Sequence, residues 1–167
     1  AEKLERTPDG GFKQAEITSC GLNGGPLKGK GKYEARIACN LWAKGHETGR
    51  VDGASPKKRL ETHPYFTQTG KDREENGDQY IANMRDGATA GFKYFDFKGN
   101  EGISVEVRGK ADGALIVSTD ENFSEIVARI PLQFSVGNIT ASAKTSIPDG
   151  VKPLYFQFRG IGAVDFI

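Results

Sequence analysis

Short runs of alternating apolar and polar residues fill the second half of the chain, from Gly91 onward. Each run holds about five to ten residues in which β-branched or aromatic side chains alternate with polar ones, as in half-buried antiparallel strands. Gly, Asp, Asn or Pro residues bound the runs, which are GFKYFDF, ISVEVRG, GALIVST, IVARIPL, ITASAKTS, VKPLYFQFRG and AVDFI. The pattern predicts an all-β fold, a two-sheet β-sandwich of jelly-roll type with about eight to ten strands.

The first half of the chain alternates less regularly. Residues 12–20 (FKQAEITSC) and the run from Lys32 (KYEARIACNLWA) are each predicted to form a strand, with the glycine-rich GLNGGPLKGKG between them. Residues 44–76 are polar, charged and interrupted by Gly and Pro, which predicts one long irregular segment. Compact domains rarely contain such a long loop, so this segment is either a functional loop or an ordered crossing over the sandwich. Residues 79–97 then predict a short strand, a turn and a buried strand.

Length and charge indicate a single domain without a charged macromolecular partner. The 167 residues can bury a core, and we expect one module at 12–167 after a polar lead-in or linker at 1–11, cut from something larger. The 23 Lys and Arg residues are interspersed with 22 Asp and Glu residues, which gives no electrostatic support for nucleic-acid or membrane binding. No apolar run reaches transmembrane length. We therefore expect no nucleic-acid or membrane partner. We also expect a monomer.

Cysteines and carboxylates give little sign of catalysis. Cys20 and Cys39 lie in no metal-type or redox-type spacing, so a disulfide and a pair of buried thiols both stay open. A glycosidase needs two carboxyl groups facing each other about 5 to 9.5 Å apart, whereas pairs such as Asp120 and Glu121 lie in charged loops. Neither of the two histidines has a serine or cysteine arrangement that indicates an activated nucleophile. A separate enzyme is therefore the least favoured interpretation.

Oxygen-bearing side chains near the two ends of the chain could meet at a cation. Gln14 and Glu16 lie two positions apart on the predicted first strand, so both face the same side at a spacing of about 7 Å. Asp165 lies on the predicted last strand. If these strands are neighbours in a sheet, two carboxylates and an amide could bind Ca²⁺, which prefers oxygen ligands. The alternative is that Gln14 and Glu16 are solvent-facing positions of an edge strand.

Several motifs resemble family 6 carbohydrate-binding modules. They are an x-A-E strand near the start, an R-D-G turn before an aromatic strand, and the closing L-Y-F-x-F-R-G-x-G-x-x-D-F. The likeness covers residues 12–20 and 79–167. This resemblance implies a β-sandwich jelly roll with a structural calcium, held by first-strand side chains and a last-strand aspartate. Transferred to this chain, the implied ligands are Gln14, Glu16 and Asp165.

The string from EITSCGLNGG onward is also similar to the module that follows the catalytic propeller in some family 43 glycoside hydrolases. That class includes β-xylosidases and α-L-arabinofuranosidases. The likeness is carried by ITSCGLNGGPL, ARIACNL, YIANMRDGATAGFKYFDF and IPDGVKPLYFQFRG. It implies two partners, a xylan or arabinoxylan oligosaccharide and a catalytic domain of the same polypeptide, and it favours an extracellular, secreted location in a bacterium.

The usual sugar cleft of family 6 modules is poorly matched. Its asparagine position is Ala163, and the position that usually holds a tryptophan falls in SVGNIT, which has no aromatic residue. A replacement site is therefore predicted around the long segment, because sugar faces stack on aromatic rings and short polar side chains bind hydroxyls. The candidate platforms and hydroxyl partners are Trp42, Tyr65, Phe66, Tyr80, His63, Asn83, Arg85 and Asp86.

Two alternatives to this site stay open. Trp42 could pack in the core, and Tyr65 and Phe66 could anchor the loop against the sandwich instead of binding sugar. In addition, the module could lack sugar affinity and pack on its own catalytic domain, with residues 44–76 as the contact surface, since a mixed polar and apolar segment suits an interdomain interface.

Overall fold

A computed structural model describes residues 2–45, 63–70 and 78–167, and strands dominate it. Within these ranges the helical elements are two short 3-10 turns, Gly21–Asn23 and Ala35–Ile37. No helix in the described part of the chain has the length and apolar character needed to cross a membrane. The predicted all-β fold is confirmed.

The described strands form two main sheets and one small hairpin. The strands are β1 Glu5–Arg6, β2 Phe12–Lys13, β3 Leu27–Lys28, β4 Asn40–Trp42, β5 Tyr65–Gln68, β6 Gln79–Met84, β7 Thr89–Phe97, β8 Gly102–Gly109, β9 Ala111–Ser118, β10 Ile126–Leu132, β11 Ser135–Lys144, β12 Gly150–Gly162 and β13 Val164–Phe166. A six-stranded sheet has the order β10-β9-β12-β7-β3, with β4 also paired to β7. A five-stranded sheet has the order β11-β8-β13-β6-β5, and β1 pairs with β2.

Alternation along the strands builds the core between the two main sheets. On β12, Phe156 and its even-numbered neighbours are buried in the core, so Tyr155 points to the outer face of the six-stranded sheet. Phe166 comes from β13 in the other sheet, and its ring centroid lies 5.9 Å from that of Phe92 and 5.2 Å from that of Phe156. These edge-to-face contacts join the two layers.

The chain changes sheets between β12 and β13. Gly162 ends β12 with φ +88°, a conformation that favours glycine, and a Cβ there would overlap the carbonyl oxygen of Lys110. After Ala163 the chain continues as β13, which pairs with β6 and β8 of the five-stranded sheet. This bend places the last strand, and with it Asp165, in the sheet opposite to β12.

The predicted first strand at 12–20 is mostly wrong. Only Phe12–Lys13 is a strand, and it pairs with Glu5–Arg6, which lies within the predicted lead-in at 1–11. Phe12 and Ile17 are exposed, so this stretch has no buried apolar face to hold a longer strand in a sheet.

The predicted strand from Lys32 is correct only at its end. Ile37 N donates to Glu34 O at 3.2 Å and Ala38 N to Ala35 O at 3.0 Å, which closes a 3-10 turn before β4 begins at Asn40. In the first part of this run, hydrogen bonds within a local turn therefore replace the strand-to-strand hydrogen bonds that were predicted.

Part of the predicted irregular segment is regular. Tyr65–Gln68 forms β5, antiparallel to β6 at the end of the five-stranded sheet in the described residues. The rest of the prediction for 44–76 falls largely on residues 46–62 and 71–77, which lie outside the described residues.

Candidate functional site

Two tyrosines lie on the outer face of the five-stranded sheet. β5 and β6 pair with Tyr65 opposite Ala82 and Thr67 opposite Tyr80. Ile81 is fully buried in the core, so its neighbour Tyr80 points to the other side of the sheet. Because paired residues share a face, Tyr65 and Thr67 lie on the same outer face as Tyr80.

An arginine that the sequence analysis missed holds Tyr80 in place. Arg108 of β8 reaches across β13, and its guanidinium carbon lies 4.4 Å from the centroid of the Tyr80 ring. Its Nε donates to Oδ2 of Asp165 at 3.2 Å, and Oδ1 of Asp165 accepts from the backbone N of Asn83 at 3.3 Å. The cation-π contact and the half-buried ion pair together fix the orientation of the ring. The sequence did contain a signal for this residue: the alternating pattern of β8 places Arg108 on the outer face of the sheet.

The predicted hydroxyl partners at the end of β6 are engaged with one another. Asn83 has φ +62°, which breaks the strand alternation, and its Nδ2 donates to the backbone O of His63 at 3.1 Å. Arg85 Nε donates to Asn83 Oδ1 at 2.8 Å. His63 is buried, and its Nδ1 lies 2.6 Å from Pro64 O. Asn83 thus ties β6 to the start of β5.

Phe66 and Asp86 lie near these residues, but neither lies on the outer face of the five-stranded sheet with Tyr65 and Tyr80. Phe66 pairs with Ile81, so it faces the other side of β5, where it is exposed beside Gln79 at a groove of about 460 Å³. Asp86 accepts from Lys44 Nζ at 2.8 Å and from Gly160 N at 3.2 Å. The hydrogen bond from Lys44, followed by that from Gly160, lowers the pKa of Asp86.

Trp42 is not part of the cluster. It lies on β4, and its ring stacks on that of Tyr155 with centroids 5.8 Å apart and planes at 19°. Tyr155 points to the outer face of the six-stranded sheet, so Trp42 belongs to the opposite side of the sandwich. The structure thus brings together Tyr65, Tyr80 and Asn83, with Arg85 and His63, and leaves Trp42 apart.

The predicted calcium ligands are not brought together. Glu16 Oε1 accepts from Lys93 Nζ at 3.1 Å and from Tyr94 OH at 2.9 Å, both on β7 of the six-stranded sheet. The hydrogen bonds from Lys93 and then Tyr94 lower the pKa of Glu16. Asp165 lies in the five-stranded sheet with Arg108, and Gln14 is exposed.

The premise of the metal site, adjacent first and last strands, is therefore wrong. β2 pairs with β1, whereas β13 pairs with β6 and β8. Over the described ranges, no group of three or more His, Cys, Asp or Glu residues could hold a metal ion. The residues present do not fit a shared calcium, and calcium binding stays a prediction without a ligand set.

Both cysteines are free thiols that contact the backbone of β7. Cys20 Sγ lies 3.6 Å from Lys93 O, and Cys39 Sγ lies 3.4 Å from Gly91 O. Burial raises the pKa of the Cys39 thiol, which favours the protonated and less reactive form. In this structure the two residues act as half-buried thiols.

Asp120, which precedes Glu121 in a charged loop, organises that loop through its carboxylate. Its carboxylate accepts from the Ser118 hydroxyl at 2.9 Å and from the backbone N of Asn122, Ser124 and Glu125 at 2.9, 3.3 and 2.6 Å. Desolvation raises the pKa of Asp120, but these hydrogen bonds outweigh it and lower the pKa to about 2. A carboxyl group this acidic cannot act as a general acid near neutral pH.

Comparison with known proteins gives one similar sequence and several similar folds. No family model matches the chain. A xylosidase/arabinosidase from Thermoclostridium stercorarium is 45% identical over 164 residues, which cover 97% of this chain and 33% of that protein. The chain therefore spans about one third of the length of this curated relative.

A solved family 6 carbohydrate-binding module from Clostridium stercorarium, in complex with cellobiose, has a TM-score of 0.61 and 17% identity, covering 86% of this chain and 93% of that one. The chain has the fold of the family 6 carbohydrate-binding modules. A family 43 arabinoxylan arabinofuranohydrolase from Bacillus subtilis, in complex with cellotetraose, has a TM-score of 0.65 and 16% identity, covering 98% of this chain and 31% of that one. The family 6 resemblance inferred from the sequence is confirmed at the level of the fold.

Proposed function

We propose that this family 6-like module is non-catalytic and binds plant cell-wall oligosaccharides of the xylan or arabinoxylan type for a glycoside hydrolase. The observation that carries the proposal is the pair Tyr65 and Tyr80 on the outer face of the five-stranded sheet, with Arg108 fixed against Tyr80. The 45% identity to a xylosidase/arabinosidase supports the choice of sugar.

The chemistry of this face suits a pyranose ring. The C–H faces of a sugar stack on aromatic rings, and its hydroxyl groups need short, fixed polar partners. Arg108 uses Nε for Asp165, and its guanidinium carries further N–H donors that can bind hydroxyl oxygens. Thr67 adds a hydroxyl beside Tyr80. A site with one or two stacked rings gives modest affinity, because the cost of association must be offset first.

The polar residues behind this face have a supporting role in the proposed site. Arg85 donates to Asn83, and Asn83 donates to the backbone O of His63 just before β5, so the pair ties the end of β6 to the start of β5. Trp42 is left out of the site because it stacks on the other sheet. Phe66 is also left out of the site, because it faces the other side of β5.

Replacement of each tyrosine tests the proposal. Tyr80→Ala and Tyr65→Ala should each weaken binding of xylo-oligosaccharides by about tenfold or more, equivalent to roughly 1.4 kcal/mol. Isothermal titration calorimetry and gel retardation with xylan and arabinoxylan measure this loss. Phe134→Ala is the matched control, since Phe134 is an exposed aromatic residue just before β11, which lies at the opposite end of the five-stranded sheet from β5. Equal affinities for wild type and both tyrosine variants would rule out this face.

The second candidate function is an accessory domain without sugar affinity that packs on a family 43 catalytic domain. The observation that favours it is the extent of the structural match. The match to the arabinofuranohydrolase covers 98% of this chain, whereas the match to the module from Clostridium stercorarium covers 86%. Flat titration heats for correctly folded protein with every xylan-type ligand would favour this second function.

In either case we propose a secreted, extracellular monomer, since the polysaccharide lies outside the cell.

A further inference from the structure

Large exposed apolar side chains are concentrated near the start of the chain. Leu4, Phe12, Ile17 and Leu22 are between 60 and 68% exposed, and all four lie within 19 consecutive positions. The other large exposed apolar residues of the described chain are spread over strands and loops of both sheets. Scattered exposed apolar residues are normal, whereas a concentration of them is typical of an interaction site.

Within the described residues, the β1–β2 hairpin pairs with no other strand. Each of its strands has two residues, and both strands are exposed. Its cross-strand contacts are weak: the Arg6 guanidinium lies 5.6 Å from the Phe12 ring centroid, and Lys13 Nζ lies 3.7 Å from Glu5 Oε2. A two-stranded hairpin without a covering layer is only marginally stable in water. Contact with another surface would stabilise it.

Polar side chains nevertheless attach this segment to the sandwich. Glu2 Oε1 accepts from Thr18 N at 2.8 Å and from Thr18 Oγ1 at 2.9 Å. Glu16 accepts from Lys93 and Tyr94 of β7. The segment is thus held beside the six-stranded sheet by polar contacts, while its large apolar side chains face outward.

We propose that Leu4, Phe12, Ile17 and Leu22 form a docking surface for the adjoining domain of the same polypeptide, a partner that presents an apolar patch. We call these four residues the N-terminal docking surface. The inference rests on the proposed function in so far as it takes the chain to be one domain of a glycoside hydrolase. It assigns the contact to described residues, in place of the segment 44–76 expected from the sequence.

The comparisons favour this occupant over a second copy of the chain. The relative at 45% identity is about three times as long as the matched region, so most of that protein lies outside it. The match covers 97% of this chain and therefore includes most of the N-terminal docking surface. The arabinofuranohydrolase, a longer protein, also covers nearly the whole chain, whereas the module from Clostridium stercorarium covers less of it.

Hydrogen exchange on the full-length protein tests the proposal without any mutation. In a protein that carries the adjoining domain, backbone amides at 12–22 should exchange at least about tenfold more slowly than in the isolated 167-residue chain, where the module's own hydrogen bonds are the same. Equal exchange rates at 12–22 in the two proteins would overturn the proposal.

Substitutions then test which side chains form the contact. In the full-length protein, Phe12→Ser with Ile17→Ser should raise exchange at 12–22 and increase the radius of gyration in small-angle scattering. Val136→Ser is the matched control, because Val136 is 84% exposed on β11 and should change neither measurement. An unchanged scattering profile for the double variant would overturn the proposal. Light scattering that reveals a dimer, lost in the double variant, would overturn it in favour of self-association.

The same variants separate this inference from the proposed function. The double variant should bind xylo-oligosaccharides as wild type does, because Tyr65 and Tyr80 lie on the other main sheet. Tyr80→Ala should weaken sugar binding without changing the scattering profile. Each proposal can therefore fail while the other is supported.

Discussion

The carboxylate of Asp120 makes the stability of the fold depend on pH. Its pKa is lowered to about 2 in the folded chain, against 3.8 when unperturbed, so Asp120 stabilises the fold above about pH 4. This contribution is lost as the pH falls towards 2. Asp120→Asn should therefore lower the melting temperature at pH 7 by roughly 2–4 °C, the shift expected for about 1 kcal/mol in a chain of this size. Calorimetry from pH 7 to pH 2 should give a difference that shrinks below pH 4.

Asp112→Asn is the control for this measurement. Asp112 lies on β9, and Asp120 lies just after that strand. Asp112 is exposed and accepts none of the loop hydrogen bonds that Asp120 accepts. Its replacement should leave the melting temperature almost unchanged at every pH. A difference for Asp120→Asn that stayed constant down to pH 2 would contradict the role given to its charge.

Individual charged residues were predicted less well than strands. Glu16 and Asp165 were identified from the sequence as oxygen ligands, but each has a cationic partner in the structure, Lys93 and Arg108 respectively. These partners are 77 and 57 residues away in the chain. The partner of a carboxylate depends on which strands become neighbours, and residue spacing does not contain that information.

At the scale of the element, Gly162 controls the passage from one sheet to the other. Gly162→Ala should destabilise the protein by about 2 kcal/mol or more, because φ is unfavourable for a side chain and a Cβ would overlap the Lys110 carbonyl. For a chain of this size, the melting temperature should fall by roughly 4–8 °C. Thermal unfolding followed by circular dichroism measures the change.

The matched control for Gly162 is another strand glycine, Gly137 on β11. A Cβ at Gly137 would have no atom within 4 Å and no unfavourable φ, so Gly137→Ala should keep or slightly raise the melting temperature. Equal stability of the two alanine variants would show that the chain can turn into β13 by another route.

The length of each strand decided whether its alternating pattern could be recognised in the sequence. β7 to β12 each have at least seven residues, and their alternation with a buried face specifies a strand. The strands before β5 have two or three residues, which is too short for an alternating pattern to be read. Tyr65 and Tyr80 were named as candidates from the sequence because they are aromatic residues in a polar context, and the structure places both on one outer face. Trp42 was placed with them wrongly, since pairing of β4 to β7 puts it on the other sheet.

At the scale of the whole molecule, the two proposed surfaces lie on different parts of the sandwich. Tyr65, Tyr80 and Arg108 lie on the outer face of the five-stranded sheet, and the N-terminal docking surface lies beside β7 of the six-stranded sheet. A domain docked at the second surface would leave the first open to a polysaccharide. This separation suits a module that holds a substrate near an enzyme.

The stability of the fold should not depend on calcium, because two of the predicted calcium ligands form ion pairs with cationic side chains instead. A metal that binds only the folded state raises the melting temperature by mass action. Because Glu16 and Asp165 are already neutralised by Lys93 and Arg108, the melting temperature should be the same in EDTA and in millimolar CaCl₂. Arg108→Ala should lower it in both conditions, because it leaves the half-buried Asp165 without its partner. Melting at a lower temperature in EDTA, reversed by calcium and abolished in Glu16→Ala, would instead show that these carboxylates regroup around an ion.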